Sequence, residues 1–267
     1  MIVTTATTAA PLKLGRQVNR VLISVIVPIA ILVAWWVVSL GSTSPFFPPL
    51  RDIMVRLGED WLLTRVVTDV FPSLLRMFAG FAIALVIGVG LGAVLGRQPL
   101  VARALNPVLQ FGRALPATAL VPVSIVLMGI GDTPKIALIA FVTVFPVMLN
   151  TIDGVRNVDL VLEDVCGTYR LTRKQRLLNV QLPAAGPQIL AGMRIALSVA
   201  FVMMVVTELV AATNGIGYVT LQAQQNFHVT LMWSGMLLLG ILGVLINGLF
   251  ILVERRMLRW YKQDSGE

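Results

Sequence analysis

Few residues in this chain could carry chemistry. One cysteine, Cys166, and one histidine, His228, exclude an internal disulfide, a cysteine-based metal cluster and a multi-histidine site. No Gly-x-x-x-x-Gly-Lys-Ser/Thr string occurs. The nearest stretch, Gly129-Ile130-Gly131-Asp132-Thr133-Pro134-Lys135, has the wrong spacing to cradle phosphates. Gly88-x-Gly90-x-x-Ala93 formally fits a dinucleotide fingerprint, but it lies inside an apolar helical pattern with no strand before it. It reads as packing. No paired carboxylates stand at metal-ligand spacing. What remains is Glu208 and Arg113, each inside a long apolar run, and the polar, basic stretch Glu163–Pro183.

That stretch holds Glu163, Asp164, Arg170, Arg173, Lys174 and Arg176 and closes on Leu182-Pro183. Leu162, Val165 and Tyr169 fall on one helical face, and Leu177, Leu178 and Val180 follow in a second short segment. Acids come early and bases late, which suits a helix dipole. Two readings stand: a docking surface for a partner, or an amphipathic helix lying in the membrane interface. Glu208 also has two. An ionisable group in a span is costly and usually faces a cavity, which would put it at a translocation path or outer gate. Alternatively it is a helix-end acid bonded to backbone amides of the Thr213–Gly217 turn. Arg113 either faces the path or snorkels to the cytoplasmic edge. Met193, Met203, Met204 and Met236 read as packing.

The elements that must position these residues are membrane helices. Of 267 residues, 57% are hydrophobic and 13% charged, with a net charge of +8. Apolar runs long enough to cross a hydrocarbon core of ~30 Å recur along the chain. The basic excess fits cytoplasmic loops better than nucleic acid, because no basic stretch is interleaved with aromatics. Six spans are expected: 21–40, 72–95, 107–130 (broken by Pro116 and Pro122), 136–151, 189–212 and 231–253. They form one permease domain, 21–253, between tails 1–20 and 254–267, with a polar loop at 153–188. A long apolar run after the basic tail reads as a first span, not a cleaved signal. Gly41–Phe71 is Pro-rich and acidic, with a short amphipathic helix expected after the prolines. Gly80, Gly88, Gly92 and Gly96 share a helix face and would let another backbone approach closely. With six spans, the tails, the Arg97/Arg103 turn and the 153–188 loop share one side. These hold 14 of the 21 basic residues, so both termini are expected in the cytoplasm.

Several motifs carry a resemblance. Leu182-Pro183, with the helix–turn–helix before it, resembles the cytoplasmic coupling loop of permease subunits of binding-protein-dependent ATP-binding-cassette importers. In that family the loop runs Glu-Ala-Ala, three residues, Gly, then a second helix ending in an aliphatic residue and Leu-Pro. Counting back puts the Glu-Ala-Ala positions at Asp164, Val165 and Cys166, and the glycine at Arg170. Ser73-Leu74-x-Arg76 with Gly80-Phe81, Arg113-x-Leu115-Pro116-x-x-Ala119-x-x-Pro122, and Glu208-Leu209 with Gly215-Ile216-Gly217 are similar to one branch. Those permeases serve taurine, alkanesulfonates, nitrate and bicarbonate. The match covers roughly Pro72–Val253.

The resemblance implies an all-α integral membrane protein with the type I importer permease fold. It implies ATPase coupling through Glu163, Asp164, Val165, Cys166, Gly167, Tyr169, Arg170, Arg173, Leu182 and Pro183, and a path or gate at Arg113, Pro116 and Glu208. The partners implied are a second permease subunit, two cytoplasmic ATPase subunits, an extracytoplasmic solute-binding protein and the lipid bilayer. ATP and Mg would belong to the ATPase, and no cofactor to this chain, which is not itself an enzyme. The solute would be small and polar or anionic. One departure is plain: Arg170 stands where glycine would turn the chain, so either Arg170 bears the strain or the turn moves to Gly167. The alternative function is a secondary transporter or channel, which would not need this loop.

Overall fold

The computed structural model describes residues 26, 27 and 29–259, which divide into two compact units at Val55/Arg56. The 1–20 tail, part of the 21–40 span and the end of the 254–267 tail lie outside the described residues. In the first unit, an apolar helix α1 (Ile29–Ser39) is followed by the Pro-rich turn. The Ser39 hydroxyl accepts from the Leu50 amide at 3.1 Å. Helix α2 (Leu50–Arg56) follows the prolines, as the sequence predicts.

In the second unit, π-helical turns at Leu57–Thr64 and Val66–Val70 lead into α3 (Phe71–Arg97). Next come α4 (Pro99–Ala114), α5 (Leu120–Met128) and α6 (Asp132–Arg156). The polar loop holds α7 (Leu160–Thr168), α8 (Arg173–Arg176) and α9 (Leu182–Ala184). Helices α10 (Gly186–Ala211), α11 (Ile216–Gln225) and α12 (Val229–Met257) complete it. Among the described residues four helices are long and apolar enough to cross a membrane, and the bent pair α4–α5 makes a fifth candidate.

Three expectations change. Arg97–Asn106 is not a turn: only Gln98 breaks the helix, because Pro99 supplies a fixed φ and starts α4 at once. Residues 131–135, left between the expected spans 107–130 and 136–151, are already the N-cap and first turn of α6, with Lys135 buried. Thr213–Thr230, left as a loop between the expected spans 189–212 and 231–253, contains α11, whose Ile216, Val219 and Ala223 pack inward at helical spacing.

Helices α3 and α6 run parallel in fixed register. A Cβ on Gly80, Gly88, Gly92 or Gly96 would lie 2.6 to 2.9 Å from the Cβ of Ile139, Val147, Thr151 and Val155 respectively. Each pair is separated by the same stretch of sequence, so the two axes stay in step. The glycine stripe is therefore a helix–helix seam, and the dinucleotide reading is excluded. Helix α10 packs antiparallel on α6, where Gly154 meets Ala185 and Gly192 meets Asn150. Met77, Ile139, Val147, Ala200, Met203 and Met204 fill the space between the three. Gly92→Val is expected to force α3 and α6 apart, because Thr151 and the Met148 carbonyl leave no room. Overpacking of this kind costs about 1–3 kcal/mol. A thermal shift of the detergent-purified protein, with the open position Gly90→Val as control, checks it.

Candidate functional site

The packing gives the unit two ends. The starts of α3 and α6, the end of α10 and all of α11 lie at one, the Glu208 end. The ends of α3 and α6, the start of α10 and the α7–α9 segment lie at the other, the Arg97 end.

At the Arg97 end, Asp159 caps α7, its carboxylate accepting from the Val161 amide at 2.9 Å. Thr172 and Gln175 form a reciprocal capping box that starts α8. The turn between them is closed by Leu171 N–H to Cys166 C=O and Arg170 N–H to Gly167 C=O, both 3.0 Å. This is the Schellman pattern with Arg170 at its left-handed position, φ 49°. The turn has not moved: Gly167 stays inside α7. Arg170→Gly is expected to relieve up to ~1 kcal/mol of backbone strain and slow amide exchange in the last turn of α7.

Cys166 is the buried residue of α7, whereas Asp164, Val165, Tyr169 and Arg170 are exposed. Leu160, Val161 and Leu162 are exposed with them. Glu163 does different work from its neighbours. Its carboxylate pairs with Arg176 and accepts from Gln181 Nε2 at 2.6 Å, bracing α7 against the segment after α8. Arg97, at the end of α3, donates to the Arg173 carbonyl at 2.9 Å and ties the segment to the span bundle. Arg173 itself is exposed. Leu182 and Pro183 open α9 directly after the π-helical turn Leu177–Gln181, as the chain re-enters the bundle.

At the Glu208 end sits a buried polar network. The Glu208 carboxylate is 1% exposed. It accepts from Arg76 Nη1 at 3.0 Å, from the Ser73 hydroxyl at 2.6 Å and from the Gly217 amide at 3.0 Å. The bond to the turn that a helix-end acid would make is thus present, and the arginine partner comes in addition. Arg76 also donates to Asp132 at 2.6 Å and to the Asn214 side chain at 2.5 Å. Asp69 accepts from the Gly215 amide and Ser73 from the Ile216 amide, at 2.9 and 3.1 Å. Three side chains thereby cap the start of α11. Gly215 has φ 120°, and a Cβ there would overlap the Glu208 carboxyl group. Sequence reasoning did not assemble this network. Its one local trace is Asp69, Ser73 and Arg76, at i, i+4 and i+7 on one helical face entering an apolar run.

Arg113 and Pro116 lie apart from Glu208. Leu115 and Pro116 are extended, and α4 and the helical stretch from Ala117 to Met128 meet there at 75°. Arg113, in the last turn of α4, lines an open cleft of about 400 Å³ between α4, α6 and α10. The three expected path residues therefore divide between two places, Arg113 and Pro116 at the break and Glu208 in the network.

Comparisons with known proteins agree with this geometry. A family model described as "Binding-protein-dependent transport system inner membrane component" matches residues 84–259. The chain is 30% identical, over 95% of its length and 93% of the relative's, to the putative aliphatic sulfonates transport permease protein SsuC of Bacillus subtilis (strain 168). It is 29% identical, over 93% and 92%, to the taurine transport system permease protein TauC of Escherichia coli (strain K12). In fold it is similar to a chain solved in an inward-facing conformation of the MetNI methionine ABC transporter. There the TM-score is 0.65 at 22% identity, over 74% of this chain and 97% of that one. With the parallel α3–α6 seam, the broken α4–α5 span and the helical segment between α6 and α10, the chain belongs to the binding-protein-dependent inner-membrane component family and is a permease of an ATP-binding-cassette importer with the type I fold.

Proposed function

We propose that this chain pairs with a second copy of itself. Two cytoplasmic ATPase subunits grip the paired α7–α8 segments, and an extracytoplasmic binding protein delivers a small polar or anionic solute. The observation that carries the reading is the build of the α7–α8 segment. It is stiffened from within by Glu163, Arg176 and Gln181 and tied to α3 through Arg97, yet it exposes Leu160, Val161, Val165 and Tyr169. An apolar surface on a rigid lever suits a partner's cleft. ATP binding would close the ATPase pair, carry the levers inward and rock α3, α6 and α10 as one packed body. Hydrolysis would reset them. The relatives named for sulfonates and taurine support a small anion as solute. The charge bias supports a cytoplasmic Arg97 end. That leaves the binding protein the opposite end, over 56–71 and Thr213–Thr230.

A mild-detergent pull-down of the tagged chain from its host tests this. Near-equal recovery of an ATP-binding-cassette ATPase is expected. Recovery of the chain alone across several detergents, with nucleotide present, would favour a transporter that works without an ATPase.

A further inference from the structure

Helix α12 is the long apolar span that the rest of the fold covers least. Of its apolar window 6% is buried, against 39–44% for those of α3, α6 and α10. A groove of about 360 Å³ runs where α12 meets α3 and α10. Phe81, Leu197 and Phe250 form its floor and are buried, while Leu245, Leu249 and Val253 form an exposed rim. Every side chain that lines it is apolar.

The groove ends at a group of cations. Past Val253, α12 continues as Glu254, Arg255 and Arg256, with Arg259 just beyond the helix. On α10, Arg194 stands one turn from Leu197 toward the same end. Its guanidinium lies 4.0 Å from the Glu254 carboxylate, so the two helices are level there. One acid thus stands among four arginines. Basic residues past a span are ordinary, since they hold that end in the cytoplasm. That rule sets a side of the membrane, not a face of the helix. At 3.6 residues per turn, Arg256 lies roughly 50° from the centre line of the groove residues on α12, and Arg255 roughly 150° from it. Leu245 to Arg256 spans about 16 Å of helix, close to half of a hydrocarbon core of ~30 Å. The groove therefore reaches from mid-bilayer to headgroup level within one leaflet.

We propose that this groove holds one acyl chain of an anionic phospholipid, whose headgroup phosphate is taken by Arg256 and Arg194. Charge decides among the occupants. The chain's own first span follows a basic tail with Lys13, Arg16 and Arg20, and a second copy of α12 would bring the same arginines again. Either would set cations against cations. An anionic lipid fits both the apolar groove and its basic mouth. The site needs neither the ATPase nor the binding protein.

Fluorescence quenching tests this on the full purified chain. Leu249, exposed on the rim, is replaced by cysteine in a Cys166→Ser background and labelled with bimane. Quenching is titrated in mixed micelles with phosphatidylglycerol and with phosphatidylcholine, each brominated at mid-chain. Phosphatidylglycerol is expected to bind about tenfold or more tightly than phosphatidylcholine, and Arg256→Gln and Arg194→Gln each to lower that preference about fivefold. Arg255→Gln removes the same charge from the same turn on the far face, and is expected to leave the preference nearly unchanged. Equal binding of the two lipids overturns the proposal. So does an equal loss in Arg255→Gln, which would mean attraction to overall surface charge. Quenching by neither lipid overturns it as well, and would show that the first span or a second copy covers the groove.

Discussion

Arg76→Ala is expected to cost about 3–5 kcal/mol, the range for removing one partner of a buried ion pair. The Glu208 carboxylate would be left 1% exposed with a serine hydroxyl and one amide. Asp132 would lose its 2.6 Å contact too, but its side chain is 59% exposed, so water replaces much of that interaction. The Glu208 pair therefore dominates. Glu208→Gln should cost less, because the neutral side chain can still accept from Gly217 and leaves no buried anion. The two substitutions should be non-additive by about 0.5–3 kcal/mol, as expected for groups in one network. Thermal unfolding of the purified complex measures both. A melting temperature for Arg76→Ala close to that of the unsubstituted protein would sink the account. So would strict additivity. The network joins α3, α6, α10 and the start of α11 at one point, so its loss should loosen α11 first, visible as faster amide exchange across Ile216–Gln225.

Asp164→Arg is expected to reduce recovery of the ATPase with the chain by tenfold or more, equivalent to about 1.4 kcal/mol, without lowering the melting temperature of the isolated chain. Asp164 is exposed and makes no side-chain bond within α7, so reversing its charge should leave the segment folded while changing what it presents. Deleting Glu163–Arg176 should abolish recovery altogether. The informative contrast is Glu163→Ala. Glu163 braces the segment through Arg176 and Gln181, so this change should weaken association by releasing the lever and also speed amide exchange in α7. Undiminished association of Asp164→Arg would show that the ATPase grips elsewhere.

Much of the architecture was legible because it is local. An apolar run long enough to cross a bilayer is a property of consecutive residues, and so is a break where Leu115-Pro116 cannot continue a helix. The glycine stripe at Gly80, Gly88, Gly92 and Gly96 announces a close seam, because glycines at helical spacing have few other uses in a span. Leu182-Pro183 and the alternation of acids, apolar residues and bases before it mark a helical loop between spans. The identity of α7 as a short helix follows from the same local pattern.

The tertiary structure decided what depends on distant residues meeting. No local pattern shows that the seam partner is α6 in parallel register, because register is set by which knobs fill which gaps. Arg76 and Glu208 come from different spans, and each alone reads as an expensive charge in an apolar run; only packing converts two costs into one ion pair. Arg113 is the opposite case. Its sequence context resembles that of Arg76, yet folding leaves it beside a cleft with no counter-charge. Composition can show that a chain carries charge into the membrane. Whether that charge is structural or awaits a ligand depends on the partners that folding brings within hydrogen-bond reach.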